Sequence, residues 1–308
     1  MPARAFHHSA FTTERIAAER AGRGLGVSVC LPARECAGTV GEIVAALVEL
    51  REAGALDRIV VVDAASPDGT AQVARDAGAE VWQEAELLPS FGAVQGKGDA
   101  MWRALSRLDT ELVCFLDADT EGFEAHFATG LLGVLVCEPD VSFVKGFYRR
   151  PLDGASAAEL TAGEGGGRVN HLMARPALAL LYPELAEIRQ PLAGEMAARR
   201  DLLERLPFAT GYGVETAMLI DAWREVGLER IAQVDLDEHR NRHQPLAALE
   251  PMALTVLATA LGRAQRDGRA TLRPPADALG RAPLERPPLA SLAAEAGAAG
   301  GEGGEARG

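Results

Sequence analysis

The sequence predicts an α/β protein: a mostly parallel sheet with helices on both faces, followed by a C-terminal portion that is mostly helical. Three observations carry this. Between residues 26 and 148, short apolar runs alternate with stretches of helical periodicity. The runs are continuously apolar, as strands buried on both faces are. Several of them end in a polar loop, where open parallel sheets bind their ligands.

Val27, Ser28, Val29, Cys30 and Leu31 read as the first strand. Thr39 and Glu42 have the spacing of a capping box, and Val40, Ile43, Val44, Leu47 and Val48 then share one helical face. Residues 58–63 form the second strand, closed by the turn Ser66-Pro67-Asp68-Gly69; residues 70–77 form a helix ended by Gly78. Val81 and Trp82 make a short third strand. Asp99 reads as the cap of a helix that carries Met101, Trp102, Leu105 and Leu108. Residues 112–116 and 141–147 are the fourth and fifth strands. Beyond them, residues 174–181, 197–205 and 215–226 read as helices and 231–234 as a strand. Residues 251–263 are apolar on nearly every helical face, which calls for the core or a subunit interface. The chain thus divides into an arm outside the sheet (1–25), an α/β half (26–148), a second portion (149–265) and a tail (266–308). Its Ala/Gly/Glu/Pro composition predicts disorder from about residue 287. His7 and His8 fall in a loose arm, where no role is expected.

Composition removes several classes of function. The 308 residues are 48% hydrophobic and 24% charged, an ordinary globular balance. The longest apolar run, residues 131–137, is too short for a membrane span. The first twenty residues lack an apolar signal core, so a cytoplasmic protein is expected. The four cysteines show no zinc-like spacing, and Cys30 and Cys114 fall in strand-like runs that suit buried free thiols. With 44 acids against 31 bases, the net charge of −13 argues against a nucleic-acid surface. Only two of the bases are lysines, Lys97 and Lys145, which marks both as positions where a compact ammonium is wanted.

Pro32-Ala33-Arg34-Glu35, Asp63 and Asp117-Ala118-Asp119 each follow a strand, the outline of a nucleotide site. A dinucleotide fold is excluded, because no G-x-G-x-x-G follows the first strand. Carboxylates at i and i+2 of an extended chain lie on one side and suit Mg²⁺ or Mn²⁺ bridged to a diphosphate. A bare D-x-D is often incidental; the apolar strand leading into this one points to function. Gly96-Lys97-Gly98 opens a helix, where backbone N–H groups and an ammonium meet an anion.

These residues form an ordered set with six further segments: 100–103, 144–151, 165–169, 191–195, 206–215 and 239–242. Together they resemble the glucosyl-3-phosphoglycerate and mannosyl-3-phosphoglycerate synthase family, retaining glycosyltransferases of the GT-A fold. The resemblance runs from Val27 to Leu261. It implies a nucleotide-sugar donor, a 3-phosphoglycerate acceptor, a Mg²⁺ or Mn²⁺ ion and a homodimer. It places Pro32, Ala33 and Glu35 at the nucleotide base, Asp63 and Ala64 near the ribose, Lys97 on the diphosphate and Tyr212 at the nucleotide end. Asp117 faces the ribose or sugar, Asp119 and His239 bind the metal, and Glu215 contacts the transferred sugar. Gly167, Arg168 and Asn170 hold the acceptor, with Asn241 and Arg242. The 26–148 half then binds the donor and the 149–265 portion the acceptor. Glu195 reads as a sugar contact, and Arg149 and Arg150 as a turn able to face anions. Cys36 stands where the family usually has a base-contacting Glu, and Asn170 where Thr is frequent.

Three other readings remain at this level. An inverting glycosyltransferase would use Glu215 as general base. A nucleotidyltransferase would need a G-x-G-T-R loop after the first strand, which is missing. A nucleotide-sugar sensor would not need the set of Asp119, Lys97 and His239.

Overall fold

The computed structural model describes residues 3–150, 167–240, 245–273 and 284–294. The strands are β1 (Arg4–His7), β2 (Val27–Ala33), β3 (Arg58–Asp63), β4 (Glu80–Gln83), β5 (Leu112–Phe115), β6 (Phe143–Arg149), β7 (Met196–Arg199), β8 (Phe208–Ala209), β9 (Ile231–Glu238) and β10 (Glu285–Arg286). The longer helices are α1 (Thr13–Arg23), α2 (Val40–Glu52), α3 (Thr70–Asp76), α4 (Lys97–Leu105) and α5 (His126–Cys137). In the second half they are α6 (Arg175–Leu181), α7 (Arg200–Arg205), α8 (Val214–Val226) and α9 (Leu246–Arg266).

Eight strands make one sheet in the order β1-β9-β6-β7-β5-β2-β3-β4. Every pairing within it is parallel except those of β7, which runs antiparallel between β5 and β6. Alternate side chains of the central strands feed two cores. Val29, Leu31, Ile59 and Val61 face the layer of α1, α2 and α5, whereas Cys30, Val60 and Val62 face α4, α7, α8 and part of α9. That double burial explains their unbroken apolar character.

The topology decides where a site can form. The carboxyl ends of β2, β3, β5, β6 and β9 all point to one edge. Because β7 is reversed, its start delivers Gly194 and Glu195 to the same edge. The strand order also turns back between β2 and β5, opening the crevice in which such sheets take nucleotides.

Several local expectations are corrected. Residues 4–7 are not an outer arm: β1 pairs with β9, Arg4 opposite Ala232 through His7 opposite Asp235. His7 and His8 are ordered, since His8 Nε2 lies 2.7 Å from Asp237 Oδ2 and its ring stacks on His126 with centroids 4.3 Å apart. Thr39 forms no capping box; its hydroxyl donates to the Ala118 carbonyl at 2.6 Å and so ties α2 to the loop after β5. Residues 196–199 are strand β7 rather than the start of a helix. The apolar run after Phe127 belongs to the buried helix α5. The sheet also crosses the division at residue 148, because β7, β9 and β1 are integral to it. Cys30 and Cys114 are buried free thiols, as expected. Among the described residues, no helix is long and apolar enough to cross a membrane.

The tail departs most from expectation. β10 pairs with β8, residues 289–294 are helical, and Leu289 and Leu292 pack against the second core. Asp99 is not a cap but lies fully buried within α4. It accepts from Arg286 Nε and Nη2, each at 2.8 Å, and from Arg103 Nε at 3.1 Å. Burial alone would raise its carboxyl; Arg286 and Arg103 outweigh that and hold it below the usual range. Trp102 Nε1 donates to the Pro287 carbonyl at 2.8 Å. Arg286→Ala removes two charge-assisted bonds from a buried carboxylate and should cost about 1.5–3 kcal/mol, read as a lowered urea midpoint. An unchanged midpoint would mean that the tail is not part of the fold.

Candidate active site

The edge described above encloses a cleft of about 570 Å³. Two close approaches shape it. A Cβ on Gly98 would overlap the Ala209 carbonyl oxygen, so only glycine lets α4 lie against that backbone. A Cβ on Gly194 would overlap the carboxylate of Asp117. The glycine in Gly194-Glu195 therefore makes room for the first acid of the D-x-D.

Lys97 opens α4 and spans the cleft floor. Its ammonium donates to Asp117 Oδ1 and, at 2.8 Å, to Glu215 Oε1 on the first turn of α8. Burial disfavours its charge, but Asp117 and Glu215 prevail and hold it protonated well above the ordinary lysine range. Asp119 is not neutralised in this way. Its side chain is exposed in the cleft, yet the surrounding protein and the charge of Asp117 push its carboxyl up, with Lys97 offsetting them only in part.

His239 lies behind the cleft wall, 1% exposed. Its Nε2 is 3.0 Å from Glu195 Oε1 and 3.2 Å from Thr120 Oγ1, and its Nδ1 has no hydrogen-bond partner among the described residues. The ring stacks on Tyr148 with centroids 4.4 Å apart. The Arg240 carbonyl accepts from Glu121 N at 3.0 Å, so the loop carrying Asp119 runs beside the segment carrying His239. An under-neutralised carboxylate, on a loop that runs beside the segment of a buried imidazole with an unused nitrogen, fits a hard divalent cation. Glu195 is buried and does not line the cleft, so it is not placed as a sugar contact. Burial disfavours its charge, but His239, with Arg150 and Tyr148, keeps it a carboxylate well below the usual range.

Pro32, Ala33, Ala64, Lys97, Asp117, Asp119, Gly167, Arg168, Asn170, Tyr212 and Glu215 all line the one cleft. Asp63 and Glu35 do not. Asp63 is buried and accepts from Gln83 Nε2 at 3.0 Å, whereas Glu35 is exposed at φ 55° with its N–H on Ser66 Oγ. Asn241 and Arg242 lie outside the described residues. The structure adds Arg34, Cys36, Glu84 and Arg150 to the lining, and also Met252 and Val256 of α9. The resemblance marks Cys36, Arg34 stands in the loop after the first strand, and Arg150 reads as part of a turn able to face anions. No local signal separates the cleft residues of α9 from its core residues.

Lys145, on β6, is fully buried, and its ammonium donates to the Ala193 carbonyl. Burial pushes it down to about 8; Glu215 opposes this and Lys97 adds to it. The folded state therefore sheds this proton before the unfolded state does, so the cost of burying the charge is full below about pH 8 and fades toward the ordinary 10.5. Lys145→Met should be most stabilising, relative to the wild type, below pH 8, with the difference shrinking as pH rises to 10.5. Denaturation across that window checks it; a constant difference would contradict it.

A parallel nucleotide sheet with a D-x-D at its switch point and a lysine across it defines a sugar-nucleotide transferase of the GT-A class. A family profile described as Glycosyl transferase family 2 matches residues 28–147. The chain is 41% identical over 272 residues to the glucosyl-3-phosphoglycerate synthase of Petrotoga mobilis, covering 87% of this chain and 83% of that protein. Its fold superposes with TM-score 0.80 on the mannosyl-3-phosphoglycerate synthase of Rubrobacter xylanophilus, at 46% identity over 87% of this chain and 83% of that one. It superposes with TM-score 0.81 on the glucosyl-3-phosphoglycerate synthase of Mycobacterium tuberculosis in complex with Mn²⁺, UDP-glucose and phosphoglyceric acid, at 35% identity over 95% and 99% of the two chains. The protein belongs to the glucosyl-3-phosphoglycerate and mannosyl-3-phosphoglycerate synthase family.

Proposed function

We propose that the protein transfers a glucosyl or mannosyl group from a nucleotide-sugar to the 2-hydroxyl of 3-phosphoglycerate, with retention of the anomeric configuration. One observation carries this: Lys97, Asp117 and Asp119 share a single cleft with Gly167, Arg168 and Asn170. Both substrates can then be held with their reacting atoms together, the chief orientational task of a two-substrate transferase.

On the donor side, Pro32, Ala33 and Ala64 form the nucleotide wall, and Tyr212, 57% exposed, stands over its end. Lys97 stabilises the negative charge that grows on the departing diphosphate. Asp119 and His239 would hold Mg²⁺ or Mn²⁺, which when bound supplies further positive charge against that diphosphate. On the acceptor side, Gly167 at φ 72° exposes backbone N–H to an anion, and Arg168 supplies a planar guanidinium for phosphate or carboxylate. Asn241 and Arg242 belong to the same reading of the acceptor pocket.

Retention is favoured over inversion by the state of Glu215. An inverting mechanism would use it as general base, yet its carboxylate accepts from the Lys97 ammonium at 2.8 Å. With Glu215 paired in this way, the acceptor hydroxyl attacks the anomeric carbon from the side on which the diphosphate leaves. The bond from that carbon to the phosphate oxygen breaks as the new glycosidic bond forms, and the leaving oxygen takes the hydroxyl proton.

Purified protein offered UDP- and GDP-hexoses with 3-phosphoglycerate should form product, identify the sugar and base, and lose activity in chelator. Asp119→Ala should lower turnover by about 100-fold or more while remaining folded. Arg168→Ala should raise the KM for 3-phosphoglycerate by about 10- to 100-fold with little change for the donor, the loss of a charge-assisted contact. Full activity in chelator, or a KM change confined to the donor, would reject these assignments.

The reading includes a homodimer built partly on α9. Ala260 and Ala264 face the core and Met252 and Val256 the cleft, but Leu254 and Leu257 are only partly covered. Leu180 of α6 and Leu172 just before that helix are 84% and 76% exposed. Light scattering at micromolar concentration should give twice the chain mass. A stable monomer would leave that surface without a partner of its own kind.

A further inference from the structure

Tyr148, on β6, is 4% exposed and does not itself line the cleft, whereas its hydrogen-bond partner Arg150 does. Its hydroxyl sits between two charged groups. It accepts from Arg150 Nη2 at 2.9 Å and donates to Glu195 Oε2 at 2.7 Å. The other oxygen of Glu195 is the partner of His239 Nε2 at 3.0 Å. The phenol ring lies against both ends of this chain: it stacks on His239 with centroids 4.4 Å apart, and the Arg150 guanidinium lies 5.0 Å from its centre. Arg150 lines the cleft beside Gly167, Arg168 and Asn170, and its Nε has no partner among the described residues.

We propose that Tyr148 is a positioning residue whose hydroxyl, through Arg150 on one side and Glu195 on the other, couples the acceptor anion to the metal ligand His239. The inference rests on the acceptor and metal assignments made above. A carboxylate can only accept hydrogen bonds, so Glu195 assigns the proton of His239 to Nε2 and leaves the lone pair on Nδ1. Glu195 is itself fixed by the phenol, and the phenol by the guanidinium. An anion drawn to Arg150 therefore acts on the same hydrogen-bonded chain that sets the imidazole plane. The cationic end suits an acceptor carrying a phosphate and a carboxylate, beside Arg168 in the same cleft. The chain spans β6, the start of β7 and the end of β9, which meet only because β7 is reversed.

Tyr148→Phe tests this with one atom removed, both ring contacts kept and neither substrate touched. Three quantities are read: the KM for 3-phosphoglycerate, the donor KM at saturating Mn²⁺, and Mn²⁺ affinity by electron paramagnetic resonance in the presence of UDP without acceptor. The first and third should worsen by about 3- to 10-fold, and the second should hold. In the double variant Tyr148→Phe/Arg150→Ala, the acceptor KM should rise no further than in Arg150→Ala. A drop in melting temperature with acceptor KM and Mn²⁺ affinity unchanged would make the hydroxyl merely structural and overturn the proposal. So would a change in only one of the two. Should Tyr148→Phe not fold, Glu195→Gln, of the same shape, is measured for the same two quantities: both should worsen, and a change in neither or in one alone overturns the proposal. Wild-type protein that binds no Mn²⁺ with UDP would instead overturn the metal assignment itself.

Discussion

The structure is organised around a problem of charge. Asp117, Asp119, Glu195 and Glu215 converge on one edge of the sheet, where Glu195 and Glu215 are buried, Asp117 is half-buried and Asp119 is open to the cleft. Burying carboxylates costs several kcal/mol each unless cations or hydrogen bonds answer them. Lys97 answers Asp117 and Glu215, and His239, Tyr148 and Arg150 answer Glu195. Asp119 is left with a raised carboxyl. The imbalance is a property of the polypeptide, and a divalent cation with a diphosphate is the kind of ligand that resolves it.

The fold is what brings these groups together. Parallel strands send Asp117 and Asp119, Arg149 and Arg150, and Glu238 and His239 to one edge, and the single reversed strand sends Glu195 to meet them. Backbone positions then set the spacing. Gly194 admits the Asp117 carboxylate, Gly98 admits the backbone at Ala209, and Thr39 holds the carbonyl in the middle of the D-x-D. Even the distant tail contributes, since Arg286 neutralises Asp99 within the helix that begins with Lys97. Residues from five regions of the chain thus fix one lysine and one pair of acids.

Much of this was legible in the sequence, and the reasons for the rest are physical. Strands rich in valine and isoleucine, such as 27–31 and 58–63, declare themselves by local composition. Strand β7 does not, because Met-Ala-Ala-Arg has the local preference of a helix and becomes a strand only by pairing with β5 and β6. β1 is half polar and becomes a strand only beside β9. Asp99 before an apolar helix looks like a cap, and its true partner is 187 residues away. In the site, the residues near strand ends were readable as chemistry, whereas Glu195 reads as a sugar contact and Tyr148 is not marked on its own, since their roles rest on contacts with His239 and Arg150. Lys145 was singled out by composition alone, and its burial gives that signal a physical basis.

The central claim is that Lys97 holds Glu215 as an ion-paired group, so that the sugar is transferred without a protein base. The configuration at the anomeric carbon of the product tests it directly. With an α-linked nucleotide-sugar and 3-phosphoglycerate, proton NMR of the product should show the small anomeric coupling of an α-linked glucosyl group. A β-linked product would contradict the account and return Glu215 to the role of general base.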